Sequence, residues 1–195
     1  MTLAFLVFTW PAYLTLDPGQ ARIPLNPGIE LHYPLLVTHV AFGSVAMLTG
    51  CLQPWRWLRR SHPAVHRTLG RIYVFGGMLP SVVTALVIMP MGALNAFGRL
   101  GTTLWGVFAL ITTLAGYTAA RRGDHDRHRR WMIYSFALAL APVSGRLLFF
   151  ALLAFPGAVS LIATLGMFAG FWLGWIVNLA IAHWWLRRRP VIARR

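Results

Sequence analysis

A chain of 195 residues that is 57% hydrophobic and only 11% charged is too apolar for an ordinary soluble domain. Its net charge of +14 would favour nucleic-acid binding in a soluble protein. Here the basic residues stand between apolar runs of bilayer length, so we expect anionic lipid headgroups as their partners, and no nucleic acid.

Six apolar runs predict membrane-spanning helices, because about 20 apolar residues are needed to cross roughly 30 Å of hydrocarbon. The first run is short and is interrupted by Pro11, whereas the other five are clearly long enough to cross the bilayer. We therefore predict an all-α fold, a polytopic transmembrane helical bundle in which residues 1–195 form a single domain. The predicted spans are residues 1–16, 31–55, 72–91, 100–120, 131–155 and 161–185.

The arginines are distributed unevenly between the two sides of these spans. Fifteen of the 18 fall in three clusters, at residues 56–71, 121–130 and 187–195, and the opposite side carries only Arg22 and Arg99. Cytoplasmic loops of membrane proteins carry the excess of positive residues. The pattern predicts a multi-pass membrane protein with both termini in the cytoplasm.

Two polar side chains, His39 and Arg146, lie inside predicted spans. Each stands eight or nine residues from the outer end of its span, which is roughly 12 Å deep at 1.5 Å per residue. No carboxylate lies in any span, so the partner of Arg146 is a backbone carbonyl, water or a ligand such as a haem propionate, a quinone or a phosphate. Alternatively, Arg146 extends outward to the interface or hydrogen bonds to helix ends.

The chain nearly repeats itself at the inner boundary. His66-Arg67 precedes Ile72-Tyr73-Val74-Phe75, and His128-Arg129 precedes Ile133-Tyr134-Ser135-Phe136, with spacings that differ by one residue. Two imidazoles at one depth on the third and fifth spans could ligate a haem iron from opposite sides. The alternative is that both histidines are hydrated interfacial residues.

The segment from Gly123 to His128 mixes aspartates with histidines just before the fifth span. Five neighbouring arginines make it a poor cation site. We expect Asp124 and Asp126 instead to cap the free N–H groups at the start of that helix. The lone cysteine, Cys51, excludes internal disulfides and thiolate metal clusters.

Gly166, Gly170 and Gly174 recur at every fourth residue of the last predicted span. This spacing places a smooth groove on one helix face, where another backbone can approach closely. The partner is either another helix of the same chain or a second copy in a homodimer.

A set of polar motifs runs from His39 to Arg146, just over half of the chain. It comprises His39-x-x-x-Gly43, Gln53, His66-Arg67-x-x-Gly70-Arg71-x-Tyr73, Gly123-Asp124, His128-Arg129-Arg130-Trp131-Met132 and Arg146. This set resembles a bacterial family of predicted multi-span membrane proteins known as domain of unknown function 2306. The family name implies no activity, and we assign no catalytic residue.

More distantly, the chain resembles membrane cytochromes of the b type, in which histidines on neighbouring helices hold haem. His66-x-x-x-Gly70 is similar to their helices, where the glycine gives the porphyrin room. The resemblance implies one inner haem b with His66 and His128 as axial ligands to its iron. Its propionates would be held by Arg67, Arg71 and Arg129.

These motifs leave three functional hypotheses. The first is a haem- or quinone-linked electron carrier, in which His39 and Arg146 contact a quinone or a second acceptor. The second is a non-enzymatic carrier, sensor or assembly partner whose His39 and Arg146 bind a small anion or move a proton. The third is that the polar residues only specify packing. Phosphate loops, nucleophile elbows and facing carboxylate pairs are absent from the sequence, so hydrolase and kinase activities have no support.

Overall fold

The computed structural model describes residues 1–23, 25–26, 28–92, 95–153 and 169–188, and all regular elements within them are helical. The all-α prediction is therefore confirmed for this part of the chain. The chain divides into two compact units, Met1–Gly106 and Val107–Arg195. The single domain predicted for residues 1–195 stays a prediction.

The first unit contains seven α-helical segments, the last of which continues into the second unit. They are α1 (Thr2–Thr9), α2 (Pro11–Leu14), α3 (His32–Leu52), α4 (Arg56–Ser61), α5 (Pro63–Tyr73), α6 (Leu79–Ile88) and α7 (Ala96–Arg121). A π-helical turn, Val74–Met78, joins α5 to α6, and 3₁₀ turns occupy Pro18–Gln20 and Met89–Met91. The second unit adds α8 (His125–Ala139), α9 (Ala141–Leu153), a π-helical turn at Ala169–Leu173 and α10 (Gly174–Arg188).

Three of the described helical stretches are long and apolar enough to cross a membrane: His32–Leu52, Pro63–Met91 and Ala96–Arg121. The bent pair α8 and α9 makes a fourth if it is counted as one span. The N-terminal run, Thr2–Leu14, is a shorter apolar helix. The last predicted span, residues 161–185, lies partly outside the described residues.

Two helices begin earlier than the apolar runs that predicted them. The third predicted span starts at residue 72, but α5 starts at Pro63, a residue suited to the first helical position. The fifth starts at residue 131, but α8 starts at His125, and the Asp124 carboxylate accepts a hydrogen bond from the backbone N–H of Arg127 at 3.0 Å. The predicted capping role of Asp124 is confirmed.

We expect Asp124→Ala to destabilise the start of α8 by about 1 kcal/mol, the usual value of a lost N-cap. Asp124→Asn should leave stability nearly unchanged, because asparagine caps equally well. The exposed ion pair of Asp124 with Arg127, at 3.5 Å, adds little. Thermal denaturation in detergent measures the difference, and equal losses in the two variants would show that charge rather than capping matters.

A bend of 46° separates α8 from α9, so the fifth predicted span is a broken helix. The break lies at Leu140, and Pro142 has no N–H to donate to the carbonyl one turn earlier. The side-chain amide of Asn178 on α10 donates to the Ala137 carbonyl at 2.9 Å. A polar side chain of α10 thus provides a hydrogen-bond donor to a backbone carbonyl beside the break. Backbone groups in apolar surroundings need such a partner within the protein.

Gly174 is the position where α10 comes closest to α9. A Cβ at Gly174 would lie 2.7 Å from the Ala141 carbonyl oxygen and 2.9 Å from the Cα of Gly145. The close approach predicted from the glycine spacing is therefore made within the chain at this position. Gly166 lies outside the described residues, and a homodimer through Gly166, Gly170 and Gly174 stays a prediction.

The π-helical turn between α5 and α6 lies against α3. Pro80 removes one backbone donor just after this turn, which is a common cause of such irregularity. A Cβ at Gly77 would lie 2.8 Å from both the Cα and the N of Ala46 on α3. The turn therefore packs backbone against backbone with no room for a side chain.

Candidate functional site

His39 on α3 is held by the neighbouring helix α6. Its Nδ1 lies 2.8 Å from the backbone oxygen of Ser81 and 3.1 Å from the Ser81 hydroxyl. The Trp105 ring meets the imidazole edge-on, with centroids 6.5 Å apart. A carbonyl only accepts hydrogen bonds, so Nδ1 carries the proton and, in the neutral ring, Nε2 carries the lone pair.

His128 on α8 shows the same arrangement in the second unit. Its Nδ1 lies 2.8 Å from the backbone oxygen of Gly116 on α7. A Cβ at Gly116 would lie 2.6 Å from the Met132 sulfur, so the missing side chain lets the two helices approach closely. The half-buried imidazole is thereby fixed in rotation and tautomer, with the lone pair on Nε2 in its neutral form.

His66 lies on α5 with its Nδ1 buried, four residues before Gly70. The amide of Gln53 faces Gly70, and its Nε2 and Oε1 both lie 3.9 Å from the position of a Cβ there. Nε2 of Gln53 is buried and has no hydrogen-bond partner among the described residues. An unsatisfied buried donor costs about 1–3 kcal/mol, so this amide needs a physical explanation.

The predicted propionate ligands differ in their surroundings. Arg67 and Arg71 are exposed on α5, whereas Arg129 is half-buried with its guanidinium carbon 5.1 Å from the Trp185 ring centroid. Stacking uses the flat face of a guanidinium and leaves its N–H edge able to donate. The role of these three arginines toward a propionate stays a prediction.

Arg146 is half-buried on α9, and its Nη1 donates to the Pro142 carbonyl at 3.1 Å. A backbone carbonyl is one of the partners that the sequence led us to expect. His39 belongs to the first unit and Arg146 to the second, so a ligand contacted by both stays a prediction. The same holds for a haem shared by His66 and His128.

The near-repeat of the sequence is only partly reflected in the structure. The residue seven positions after each histidine is fully buried, Tyr73 at 1% exposure and Ser135 at 0%. The hydroxyl of Tyr134, one position before Ser135, instead forms a hydrogen bond with Nδ1 of His183 at 2.9 Å. This pair could not be predicted from the sequence, because the two residues lie 49 positions apart.

No group of three or more His, Cys, Asp or Glu side chains that could hold a metal ion occurs in the described ranges. Asp124, for which the sequence favoured helix capping over cation binding, serves as a helix cap.

A family model described as "Predicted membrane protein (DUF2306)" matches residues 36–186, well over half of the chain. The chain belongs to this family. It is thus a multi-pass membrane protein, and the DUF2306 match covers the whole motif set from His39 to Arg146. Neither a curated protein nor a solved structure matches the chain. The DUF2306 description states no activity.

Proposed function

We propose that this DUF2306 protein is a six-span protein of the bacterial cytoplasmic membrane that carries electrons through haem b. Six crossings result when the bent pair α8 and α9 counts as a fourth span beside the three long helices, and the apolar N-terminal and C-terminal runs are added. The three arginine clusters support an orientation with both termini in the cytoplasm. Anionic headgroups of the cytoplasmic leaflet would be the partners of those clusters.

The observation that carries the haem proposal is the contact between His128 and Gly116. Metal-bound histidines usually donate the N–H of one ring nitrogen to a carbonyl or carboxylate, which orients the ring and makes the other nitrogen a better ligand. At 2.8 Å from the Gly116 carbonyl oxygen, the Nδ1 of His128 meets this requirement. An axial position on haem iron is a usual place for such an imidazole.

The remaining roles come from the sequence. His66 is the proposed second axial ligand, and Arg67, Arg71 and Arg129 are the proposed donors to the propionates. Bound haem would supply one-electron transfer at its iron, and the protein groups would tune and orient it. His39 and Arg146 are proposed to contact a quinone or another electron acceptor.

The visible spectrum of the purified protein tests this proposal. The full chain is expressed with ample haem, purified in detergent, and recorded oxidised and then reduced with dithionite. We expect a Soret band that sharpens and shifts on reduction, as in cytochromes with two axial histidines. A purified, folded protein without a Soret band would overturn the proposal.

A second candidate function is a non-enzymatic carrier, sensor or assembly partner that binds a small anion or moves a proton. The observation that favours this function is the position of Arg146. Its side chain is half-buried on an apolar helix, and its guanidinium donates to the Pro142 carbonyl of the same helix. A guanidinium there can donate to an anion. Proteoliposomes loaded with a chloride-sensitive dye test this function. If Arg146 binds the anion, Arg146→Gln should abolish chloride entry. An unchanged chloride flux in this variant would contradict the second candidate function.

A further inference from the structure

Three exposed arginines of α4 have no role in the haem proposal. They are Arg56, Arg59 and Arg60. The chain has four acidic residues, and none of them lies between residues 31 and 123. In the described part of the chain, the one ion pair with an acidic side chain belongs to Arg127. The charge of the three α4 arginines is therefore available to an anion from outside the chain.

The geometry of α4 turns these charges away from the protein. Leu58 is the buried residue of this helix, at 7% exposure. Because a helix turns about 100° per residue, Arg56 and Arg60 each lie about 160° from Leu58 around the axis. Arg59 lies about 100° to one side of Leu58, and Trp57 lies about 100° to the other. The three guanidinium groups thus share one side of the helix, which we call the arginine face of α4 (Arg56, Arg59 and Arg60).

Helix α4 is too short to be a span and connects two spans at their inner ends. Its six residues measure about 9 Å, which matches the roughly 8–10 Å between the axes of packed helices. The stretches before and after it, His32–Leu52 and Pro63–Met91, are both long and apolar enough to cross a membrane. The arginine face therefore lies at the boundary of the bilayer, at the depth of the lipid headgroups.

Two exposed tryptophans stand beside the arginine face. Trp55 directly precedes α4 and is 58% exposed, and Trp57 is 62% exposed. The Trp57 ring packs against the His62 ring, with centroids 4.4 Å apart, which holds it next to the start of α5. Indole rings favour the headgroup level of a bilayer because they are partly apolar and partly polar. Guanidinium groups beside such rings suit a phospholipid better than a soluble anion, which gains nothing from an apolar ring.

We propose that the arginine face of α4 binds the headgroup of an anionic phospholipid that carries two phosphate groups. A guanidinium group donates two parallel hydrogen bonds to one phosphate. Side chains three or four residues apart on a helix stand roughly 5–6 Å apart at Cβ, so two of these arginines can reach the two phosphates of one headgroup. A headgroup with one phosphate would leave two of the three charges without a partner.

The inference rests on the proposed function for the cytoplasmic position of α4. It goes further by assigning one lipid class to one helix, where the positive-inside pattern requires only a general excess of charge. Basic sites between membrane helices on the cytoplasmic side are known to bind headgroups of this kind.

Native mass spectrometry of the purified full chain tests the site, because it measures which lipids stay bound after transfer from detergent micelles. The probes are diphosphatidylglycerol with two phosphates, phosphatidylglycerol with one, and zwitterionic phosphatidylcholine. We expect diphosphatidylglycerol to bind roughly fivefold more tightly than phosphatidylglycerol, the effect of one further arginine contact at a membrane surface. Phosphatidylcholine should show no saturable binding.

A charge-matched pair of triple variants separates this site from the general attraction of a basic protein for anionic lipid. The variant with Arg56→Gln, Arg59→Gln and Arg60→Gln should bind diphosphatidylglycerol roughly tenfold to hundredfold more weakly. The control removes the same charge from three exposed arginines of the second cluster, with Arg121→Gln, Arg122→Gln and Arg130→Gln. Its tightest diphosphatidylglycerol binding should equal that of the wild type. Both triple variants should unfold at the wild-type temperature in lipid-free detergent, since all six side chains are exposed.

Three results would overturn the inference. Equal losses in the two triple variants would show that only net charge matters. Equal affinity of the wild type for the one-phosphate and two-phosphate lipids would remove the basis for the two-phosphate headgroup, and this comparison does not depend on how any variant folds. Displacement of the lipid by inorganic phosphate or by an oligoglutamate peptide, at matched concentration, would identify a soluble anion or an acidic protein as the occupant instead.

The α4 proposal and the haem proposal fail in different ways, because lipid binding in micelles does not require haem. A Soret band in a protein that does not distinguish the three lipids would overturn the α4 site and leave the haem proposal standing. Lipid selectivity that depends on the arginine face of α4, in a protein without a Soret band, would support the α4 site and overturn the haem proposal.

Discussion

His128→Ala should abolish the Soret band of the purified protein or shift it to the position of a haem with one axial histidine. The reason is that the lone pair on Nε2 is the proposed bond to iron, and alanine supplies no ligand. The contact of Nδ1 with the Gly116 carbonyl fixes the ring for this purpose. Visible spectra of the oxidised and reduced variant measure the effect.

His125→Ala is the control for this prediction. His125 lies three residues earlier on the same helix and is exposed, so its loss should leave the spectrum unchanged. His66→Ala should behave like His128→Ala, with exposed His62→Ala as its control. Spectra that survive in both His66→Ala and His128→Ala would rule out these two residues as the axial ligands.

Gly77→Ala should lower stability by about 1–3 kcal/mol, the usual cost of inserting a methyl group where there is no space. The added Cβ would lie 2.8 Å from the backbone of Ala46, so α3 and the π-helical turn would have to move apart. Backbone atoms of a packed helix cannot turn aside as a flexible side chain can. The midpoint of thermal denaturation in detergent measures the loss.

Gly76→Ala is the matched control, and the sign of its effect should differ. A Cβ at Gly76 would lie 3.6 Å from a methyl carbon of Ile72, an ordinary contact distance. Because alanine is favoured over glycine in helices by about 1 kcal/mol, Gly76→Ala should be neutral or stabilising. Equal losses at both positions would show that the flexibility of this turn, and not its closeness to α3, is what the glycines provide.

Much of the fold could be predicted because membrane helices have a simple sequence signature. Long apolar runs predicted the helices that contain His39, His66, Trp105 and His128, and the aspartate before a helix predicted the Asp124 cap. The helix starts were placed too late, since arginine-rich residues such as those of Pro63–Tyr73 continue a helix beyond its apolar part. Hydrophobicity marks the part of a helix that suits lipid, and hydrogen bonding sets where it ends.

The partners of the site residues could not be predicted, because most of them are backbone atoms. The acceptors for His39 and His128 are carbonyl oxygens of Ser81 and Gly116, and every residue has a carbonyl. Only packing decides which one an imidazole reaches. The histidines could be recognised in the sequence by their residue type. Which neighbouring helix orients each ring depends on the fold.

The near-repeat shows a related limit. The two copies differ in spacing by one residue, which corresponds to about 100° around a helix of 3.6 residues per turn. Tyr73 and Tyr134 therefore lie on different faces relative to their histidines, and the structure buries Tyr73 but joins Tyr134 to His183. Similar residues at unequal spacing therefore do not form similar sites.

The amount of haem b bound per chain tests the central claim most directly. Pyridine haemochrome analysis of the purified wild-type protein, expressed with ample haem, gives this ratio. We expect about one haem per chain, since one pair of histidines, His66 and His128, is proposed to ligate the iron. A folded protein with no haem, or with traces that His66→Ala and His128→Ala leave unchanged, would contradict the account.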